Sequence, residues 1–309
     1  MVIRFLVNNI HTYNPDGWMP DAAMLSGTEE SIVEWAYILS RKYKVQVFSN
    51  FISKEPFEYR GATYYPRNQY LEQVGKKNGI TVNVKSYDIE PVEPSVYLTN
   101  ETNAHHHNLE NFKYCILPSQ WAVDNIPVNT ETRIVPHGFD PDQVYPSIKV
   151  KKQCLYSSSP DRGLSTLELI WPSVVQQHPD AHLIVTYGGT INAPNVTCVG
   201  EVSNSTINRL YQTSDIWLHP CNGGELYGMS AIKAQAAEAI PVYFPTMALS
   251  ETVQVGVKCT DPRDMYKKLV DLLDNETLKK ELRNEMRTLN LPNWEVSTAL
   301  LENVILETL

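Results

Sequence analysis

The sequence has few cysteines and no long apolar run, and both absences narrow the class of protein. Its five cysteines stand singly, and an odd number without Cys-x-x-Cys spacing predicts neither a disulfide framework nor a zinc knuckle. No apolar stretch approaches the roughly 18–20 residues that a spanning helix needs. We therefore expect reduced thiols in a cytoplasmic protein without a membrane span, which leaves peripheral contact with a membrane open.

Positive charge is also scarce. The chain has 26 Lys+Arg against 35 Asp+Glu, a net charge of −9, whereas a bulk nucleic-acid binder needs a basic surface that displaces counterions from phosphates. Hydrophobic residues make up 42% and charged residues 20% of the chain, which argues against wholesale disorder. We expect a folded protein that does not bind nucleic acid, and a local basic site for a small anion is compatible with this charge.

Short β-branched or aromatic runs alternate with helical stretches along the chain. Val2–Val7 predicts a first strand, and Gly27 to Lys42 predicts a helix. Between the weaker strands Ala62–Tyr65 and Val96–Thr99 we expect an irregular stretch, and from Gln153 the alternation restarts. Strands separated by helices of 10–15 residues indicate βαβ units with a parallel sheet.

The restart, together with a length of 309 residues, predicts an α/β protein with two tandem, doubly wound, Rossmann-like domains. We place them at residues 1–147 and 148–309, with the option that the last helix packs back on the N-terminal domain. In doubly wound sheets ligands bind at the carboxyl ends of strands. Two facing sheets would line one interdomain cleft.

The first candidate segment, Ser26–Glu30, is a glycine-bearing turn that opens a helix. Free N–H groups and the positive end of the helix dipole favour an anion there, and Gly27 lets backbone approach a phosphate closely. The alternative is a plain N-cap, in which Ser26 or Thr28 caps the helix and the following glutamates complement its dipole.

The second candidate segment, Tyr156–Leu164, follows a predicted strand and precedes a helix. Arg162 offers a planar, permanently charged fork to a diphosphate, and the hydroxyls of Ser158 and Ser159 add donors. The alternative is a surface ion pair between Arg162 and Asp161.

The third candidate segment, His219–Ser230, places three glycines between a strand and a helix. Gly223, Gly224 and Gly228 make a second potential anion cradle, and Glu225 can accept hydrogen bonds from sugar hydroxyls. The alternative is a helix-entry loop with an N-terminal acid.

The fourth candidate segment, Thr99–His107, follows a predicted strand and ends in three histidines. Consecutive histidines cannot all face one ion, because neighbours one and two apart diverge on a regular element. We therefore expect no metal site. Glu101 or His105 could reach a cleft, and the alternative is a solvated loop.

Taken in order, six segments resemble blocks of the retaining family 4 glycosyltransferases, which have the GT-B fold. They are Ser26–Glu29, Leu117–Trp121, Ile134–Asp140, Ser158–Leu164, Gly200–Val202 and Gly223–Gly228. Each segment alone is a weak match, but six in the family's order are specific. The resemblance implies metal-independent transfer of a sugar, hexose-like, from a nucleotide diphosphate sugar to a hydroxyl of a glycan or other acceptor, with retained anomeric configuration.

The resemblance also implies roles for residues. Arg162, the Gly223–Gly224 amides and the Gly27 turn would neutralise the departing diphosphate, and Glu225 would orient the donor sugar. Gly200 and Val202 would lie near the base, and Glu101 or His105 would face the acceptor. The donor site would also include Ser158, Ser159, Tyr227, Gly228 and Lys233. No cofactor is expected beyond the donor substrate, whose base, uridine or guanosine, is undecided.

The chain departs from the family's pattern at several positions. Arg162 takes the family's Lys position in the phosphate loop, and Ser157 takes its Arg position. Lys233 replaces a second Glu that holds the nucleotide's ribose hydroxyls, and an ammonium cannot accept those hydrogen bonds. Glu238 stands where the family has Gly, and Leu98–Glu101 replaces an aromatic-His-Asp motif.

Three other readings stay open. The first is a GT-B protein that binds a nucleotide sugar or glycan, or serves as a partner subunit, without turnover. The second is a nucleotide-sugar epimerase or a phosphorylase on the same architecture. The third, a Rossmann oxidoreductase, is disfavoured because no G-x-G-x-x-G follows the first strand.

Overall fold

The chain forms two compact units. The computed structural model describes residues 1–8, 16–74, 78–86, 89–90, 92, 94–102 and 108–309. The first unit comprises Met1–Gly138 and Pro292–Leu309, and the second comprises Phe139–Leu291. The boundary that we placed at residue 147/148 lies downstream of this division, and the last helix belongs to the first unit.

The first unit is built on one sheet. Its strands, within the described residues, are β1 Val2–Val7, β2 Lys44–Ser49, β3 Phe57–Tyr59, β4 Ala62–Pro66, β5 Gly79–Val84, β6 Ser95–Leu98, β7 Cys115–Leu117 and β8 Thr132–Ile134. Their order in the sheet is β3-β4-β2-β1-β5-β6-β7-β8. The β3–β4 pair is antiparallel, and the other pairs are parallel.

The expectation of an irregular stretch between β4 and β6 was wrong, because that stretch contains β5. This strand lies beside β1 and pairs with it from Val2↔Gly79 to Val7↔Val84. A Cβ at Gly79 would lie 2.4 Å from the Val2 carbonyl oxygen and 2.5 Å from Nη1 of Arg4. The strand therefore begins at a glycine because a side chain there would overlap the backbone carbonyl of Val2 on β1.

The helices of the first unit are α1 Gly27–Ser40, α2 Tyr70–Val74, α3 Gln120–Asn125 and α10 Trp294–Thr308. Helix α1 buries Ile32, Trp35, Ala36 and Leu39, the positions whose spacing predicts the helix. Helix α10 packs on α1, where the Trp35 indole donates to Oγ of Ser297 at 2.8 Å. The C-terminal end of the chain thus completes the first unit.

The second unit, every residue of which is described, also has one sheet. Its strands are β9 Val150–Tyr156, β10 His182–Thr186, β11 Val196–Gly200, β12 Ser214–His219, β13 Ile240–Tyr243 and β14 Val257–Lys258. All pairs are parallel, in the order β11-β10-β9-β12-β13-β14. The order reverses between β9 and β12, and such a switch point is where doubly wound sheets bind ligands.

Helices cover both faces of the second sheet. They are α4 Leu164–Gln177, α5 Asn204–Thr213, α6 Met229–Ala236, α7 Leu249–Thr252, α8 Pro262–Asp274 and α9 Glu276–Met286. Along β12, Ile216 and Leu218 join the apolar cluster of α4 and α8, whereas Trp217 joins the cluster of α5 and α6. This alternation follows from the two-residue period of a strand, and it makes the unit doubly wound.

Among the described residues, none of the helices combines the length and the apolar character that crossing a bilayer requires.

Candidate active site

The loops that follow β9 and β12 meet at the switch point of the second sheet. Arg162 ends a short 3₁₀ turn after β9, and Glu225 lies between β12 and α6. Nη1 of Arg162 lies 3.4 Å from Oε1 of Glu225 and donates to the Gly223 carbonyl at 3.1 Å. The structure therefore brings together the cation and the carboxylate that the sequence singled out.

Two glycines allow this close approach. Gly163 has φ +94°, and a Cβ there would lie 2.1 Å from the carbonyl oxygen of Pro220. Gly224 has φ +86°, and a Cβ there would lie 2.5 Å from Nη1 of Arg162. A side chain at either position would be strained and would separate the two loops.

Burial opposes charge on both members of the ion pair. The Glu225 side chain is 19% exposed and that of Arg162 is 27% exposed. Burial raises the pKa of Glu225, and the charge of Arg162 only partly counters the effect. Burial also disfavours the charged guanidinium, but Glu225, Cys221 and Asp161 together raise the pKa of Arg162. The carboxylate is thus incompletely compensated by its one cation.

Two buried, stacked rings lie at the end of β12, just before the glycine loop. The rings of Trp217 and His219 lie 4.7 Å apart at 12°, and the Trp217 indole donates to Oγ of Ser157 at 2.9 Å. Ser157 also bonds the Tyr211 hydroxyl at 2.6 Å. Ser157, the residue that the resemblance places at the family's arginine position, is therefore committed to the core.

His219 is a residue of this site that the sequence reasoning did not assign. Burial, with a contribution from Arg162, lowers its pKa to about 3, so its imidazole is neutral at physiological pH. Its Nε2 lies 3.8 Å from Oε1 of Glu225, and its buried Nδ1 has no hydrogen-bond partner among the described residues. Its place at the end of β12, next to the glycine loop, was the available signal.

Two hydrogen bonds that involve sulfur atoms order the glycine loop. The Gly224 amide donates to Sδ of Met247 at 2.8 Å, and the Cys221 thiol donates to the Gly223 carbonyl at 2.9 Å. A thioether is a weak acceptor, so the Gly224 amide can be released to a stronger one. Gly228 immediately precedes α6 as its N-cap.

The other residues that the resemblance assigns to the donor site in the second unit include buried ones. Tyr227 is buried in the apolar cluster of α5 and α6, against which Val202 packs, and burial raises the pKa of its phenol. Lys233 is 7% exposed on α6. Gly200 ends β11 with φ +69°. It therefore lies at the carboxyl ends of the strands, as do the loops of Arg162 and Glu225.

Ser158 and Ser159, in the loop between β9 and α4, are half-buried. The carbonyl of Ser159 accepts from the Tyr156 hydroxyl at 2.6 Å and from the Arg162 amide at 3.0 Å. Ser158 lies between β9 and this turn. Their hydroxyls thus stand on the loop that carries Arg162, as the sequence predicts, and their donor role stays a prediction.

In the first unit, Ser26–Glu29 forms a complete capping box. Oγ of Ser26 accepts from the Glu29 amide at 3.4 Å, and Oε2 of Glu29 accepts from the Ser26 amide at 2.7 Å. The plain N-cap is therefore present, and an anion role for Gly27 stays a prediction. Oγ1 of Thr28 accepts from Asn100 at 3.2 Å.

The loop after β6 carries the residues that we expected near an acceptor. Nζ of Lys85 lies 3.3 Å from Oε1 of Glu101, and the Glu101 amide donates to Oγ1 of Thr99 at 3.1 Å. Asn100 links this loop to the start of α1. His105 lies outside the described residues.

Two groups of side chains are relevant to metals. Among the described residues, His219, Cys221 and Glu225 offer ligand atoms within 4.8 Å of one another. The sequence also holds an Asp-x-Asp motif, Asp140-Pro-Asp142. Its Asp140 carboxylate accepts from the Asp142 amide and from Nε2 of Gln143, both at 2.9 Å, so both of its oxygens are engaged.

A family model covers the segment that holds this site. Residues 156–275 match the family described as Glycosyl transferases group 1. The chain is a glycosyltransferase. No curated protein sequence matches the chain.

Solved structures resemble the glycosyltransferase over its whole length. Sucrose-phosphate synthase from Thermosynechococcus elongatus is 14% identical, with a TM-score of 0.75 over 99% of this chain and 98% of that one. HepE from Anabaena, in complex with UDP and glucose, is 13% identical, with a TM-score of 0.70 over 100% of both chains. The catalytic domain of starch synthase IV from Arabidopsis thaliana, bound to ADP and acarbose, is 9% identical, with a TM-score of 0.68 over 99% of both chains. These likenesses show that the enzyme has the GT-B fold.

Proposed function

We propose that the chain is a retaining, metal-independent glycosyltransferase of family 4, which transfers a sugar from a nucleotide diphosphate sugar to an acceptor hydroxyl. The observation that carries the proposal is the meeting of Arg162 and Glu225 at the switch point of the second sheet, 3.4 Å apart. One group suits a diphosphate and the other suits sugar hydroxyls, and both stand where such sheets bind nucleotides.

Arg162 stabilises the departing diphosphate. When the bond between the sugar's anomeric carbon and the phosphate oxygen breaks, negative charge grows on the diphosphate. A guanidinium that is already positioned meets this charge with little reorganisation. Arg162 must first leave the Gly223 carbonyl, to which it donates at 3.1 Å, and that move opens Glu225 to the sugar.

Glu225 orients the donor sugar. Its carboxylate accepts hydrogen bonds from sugar hydroxyls, and its position in the loop is stabilised because its own carbonyl accepts from the Ala248 amide at 3.2 Å. In the ligand-free enzyme Arg162 compensates the carboxylate only in part. Donor binding thus exchanges one internal ion pair for two protein–ligand contacts.

Arg162 also supports the proposed metal independence, because it supplies the positive charge that a divalent ion supplies elsewhere. Both oxygens of the Asp140 carboxylate are engaged, which disfavours the Asp140-Pro-Asp142 motif as a catalytic metal site. UDP-glucose is the first donor to test, since a HepE structure contains it. The first unit would bind the acceptor, with Glu101 as the candidate contact.

Arg162→Ala is the direct test of this function. We expect kcat/KM for transfer from the best donor to fall by about 10²–10³, the usual loss when one preorganised charge stabiliser is removed. The matched control is Arg209→Ala, which removes an exposed arginine of α5 and should leave the rate unchanged. Transfer by Arg162→Ala at the wild-type rate would refute the diphosphate role, and proton NMR of the product's anomeric centre tests retention.

A second candidate function is a nucleotide-sugar binder without turnover. One observation favours it: Ser157 is committed to Tyr211 and Trp217, so it supplies no cation. The resemblance adds that Lys233 takes the position of a glutamate that binds ribose in the family. A panel of nucleotide sugars, assayed for both binding and transfer, separates the two functions. Binding without any transfer, at any acceptor supplied, would favour the binder.

The replacement at Lys233 can be tested by itself. Lys233→Glu restores a carboxylate that accepts ribose hydroxyls, so we expect tighter binding of the preferred nucleoside diphosphate by calorimetry. Lys233→Gln is the matched control, because it removes the ammonium without adding the carboxylate. Equal affinities of wild type and Lys233→Glu would mean that this position does not contact the ribose.

A further inference from the structure

Three side chains of metal-ligating type converge beside the Arg162–Glu225 pair. The imidazole of His219, the thiol of Cys221 and the carboxylate of Glu225 offer ligand atoms that all lie within 4.8 Å of one another. Nitrogen, sulfur and carboxylate oxygen are the donor atoms that Zn²⁺ prefers, and three protein ligands leave its fourth position open. The soft thiolate selects such ions over magnesium or calcium.

The donor atoms of the cluster lie close together. Nε2 of His219 lies 3.8 Å from Oε1 of Glu225, and Nδ1 of the same ring has no hydrogen-bond partner among the described residues. The Cys221 thiol donates to the Gly223 carbonyl at 2.9 Å, and an ion that binds the sulfur deprotonates the thiol outright.

The Arg162 guanidinium now lies beside Glu225, where a metal ion bound to that carboxylate would lie. Its Nη1 lies 3.4 Å from Oε1 of Glu225, the oxygen that His219 Nε2 faces at 3.8 Å. The Arg162 side chain is 27% exposed, so it has a solvent side toward which it can turn. An ion bound to Glu225 would therefore replace the guanidinium.

We propose that His219, Cys221 and Glu225 bind one divalent ion of the zinc class in place of the Arg162 guanidinium. The ion is not a cofactor for transfer: it occupies the carboxylate and so excludes the donor sugar. The first statement is independent of the proposed function, and only the second, inhibition by zinc, rests on it.

Cobalt supplies the test, because Co²⁺ replaces Zn²⁺ and reports a bound thiolate by a charge-transfer absorption band. We expect the full-length protein, in a thiol-free reductant and without nucleotide, to develop this band with one equivalent of Co²⁺ and to lose it when Zn²⁺ is added. Cys221→Ser should abolish the band. Cys198→Ser, the matched control, removes an exposed cysteine and should keep it.

Further variants keep the proposal falsifiable if Cys221→Ser folds poorly. Glu225→Gln should weaken Zn²⁺ binding by at least about tenfold, since even outer-shell changes around a metal cost about 10–100-fold. Arg162→Ala should tighten it, because the competing cation is gone. Absence of the thiolate band in the wild type, its survival in Cys221→Ser, or equal Zn²⁺ affinities of wild type and Arg162→Ala would overturn the proposal.

Inhibition is tested separately from binding. Zn²⁺ should raise the KM for the donor and leave kcat unchanged, with less effect in Cys221→Ser. Binding of cobalt with the thiolate band, in a protein that transfers no sugar, would show that the proposed function failed and the metal site did not. Unchanged donor KM in an active, zinc-loaded enzyme would overturn the inhibitory role.

Discussion

At the residue scale, Glu238 shows how one position can combine backbone strain with a stabilising contact. Its φ is +59°, which confirms that the position favours glycine. Its carboxylate accepts from Nε and Nη2 of Arg287 at 2.7 and 2.9 Å. The left-handed backbone costs a non-glycine residue on the order of 1 kcal/mol, and the bidentate contact offsets part of that cost.

A pair of substitutions separates these two effects. Glu238→Gly and Glu238→Ala both remove the carboxylate, but only alanine keeps the strained backbone. We therefore expect the glycine variant to be the more stable of the two by about 1 kcal/mol in the free energy of unfolding, measured by urea denaturation. Equal stabilities would show that this residue stores no strain.

At the element scale, a buried carboxylate holds α9 against the second sheet. Asp215 on β12 is 2% exposed, and its oxygens pair with Nζ of Lys279 at 3.1 Å and with Arg283. The same carboxylate accepts from the Lys152 amide at 3.0 Å. One side chain thus ties α9 to β9 and β12, the two strands that lead into the loops of Arg162 and Glu225.

Asp215→Asn should lower the free energy of unfolding by about 3 kcal/mol, because Lys279 and Arg283 then lose the buried carboxylate that compensates their charges. Glu276→Gln is the matched control, because Glu276 also contacts Lys279 but its own side chain is 59% exposed. Its loss should cost less than about 1 kcal/mol. Similar losses in the two variants would contradict a special role for the buried carboxylate.

At the scale of the whole molecule, each unit contains a buried histidine that folding keeps neutral. Burial lowers the pKa of His137 to about 4, with Lys85 contributing, and burial lowers that of His219 to about 3. His137 bonds Oγ of Ser31 at 2.8 Å and stacks on Trp35. Both rings therefore resist protonation that the unfolded chain accepts at its ordinary pKa of about 6.5.

These shifts predict acid lability of both units. Between about pH 6.5 and the two folded-state pKa values, the unfolded chain binds more protons, so stability falls as the pH falls. Each histidine contributes at most about 1.4 kcal/mol per pH unit. Urea unfolding from pH 7.5 to 5 should be less pH-dependent in a His137→Gln/His219→Gln double variant, and an unchanged slope would argue against neutral burial.

The amino-acid sequence determined the alternation of elements and the positions of the loops that matter. The strand β1 has the predicted bounds, and helix α1 begins at the predicted Gly27, since those signals come from residues close together in the chain. The same reasoning placed Arg162 and Glu225 after strands, and six segments in the family's order carried the glycosyltransferase resemblance. Strand β5 was missed although its run, Gly79–Val84, contains four β-branched residues that favour a strand. Its pairing with β1 is known only from the structure.

The tertiary structure alone decided which of these segments meet. Arg162 and Glu225 are neighbours because the sheet places β9 beside β12, a choice made by packing on both of its faces. The same neighbourhood commits Ser157 to the core, aligns His219 with Glu225 and buries Asp215 between cations. Local patterns encode turns and periods, whereas these contacts depend on strand order, and strand order is set by the burial of apolar surface over the whole unit.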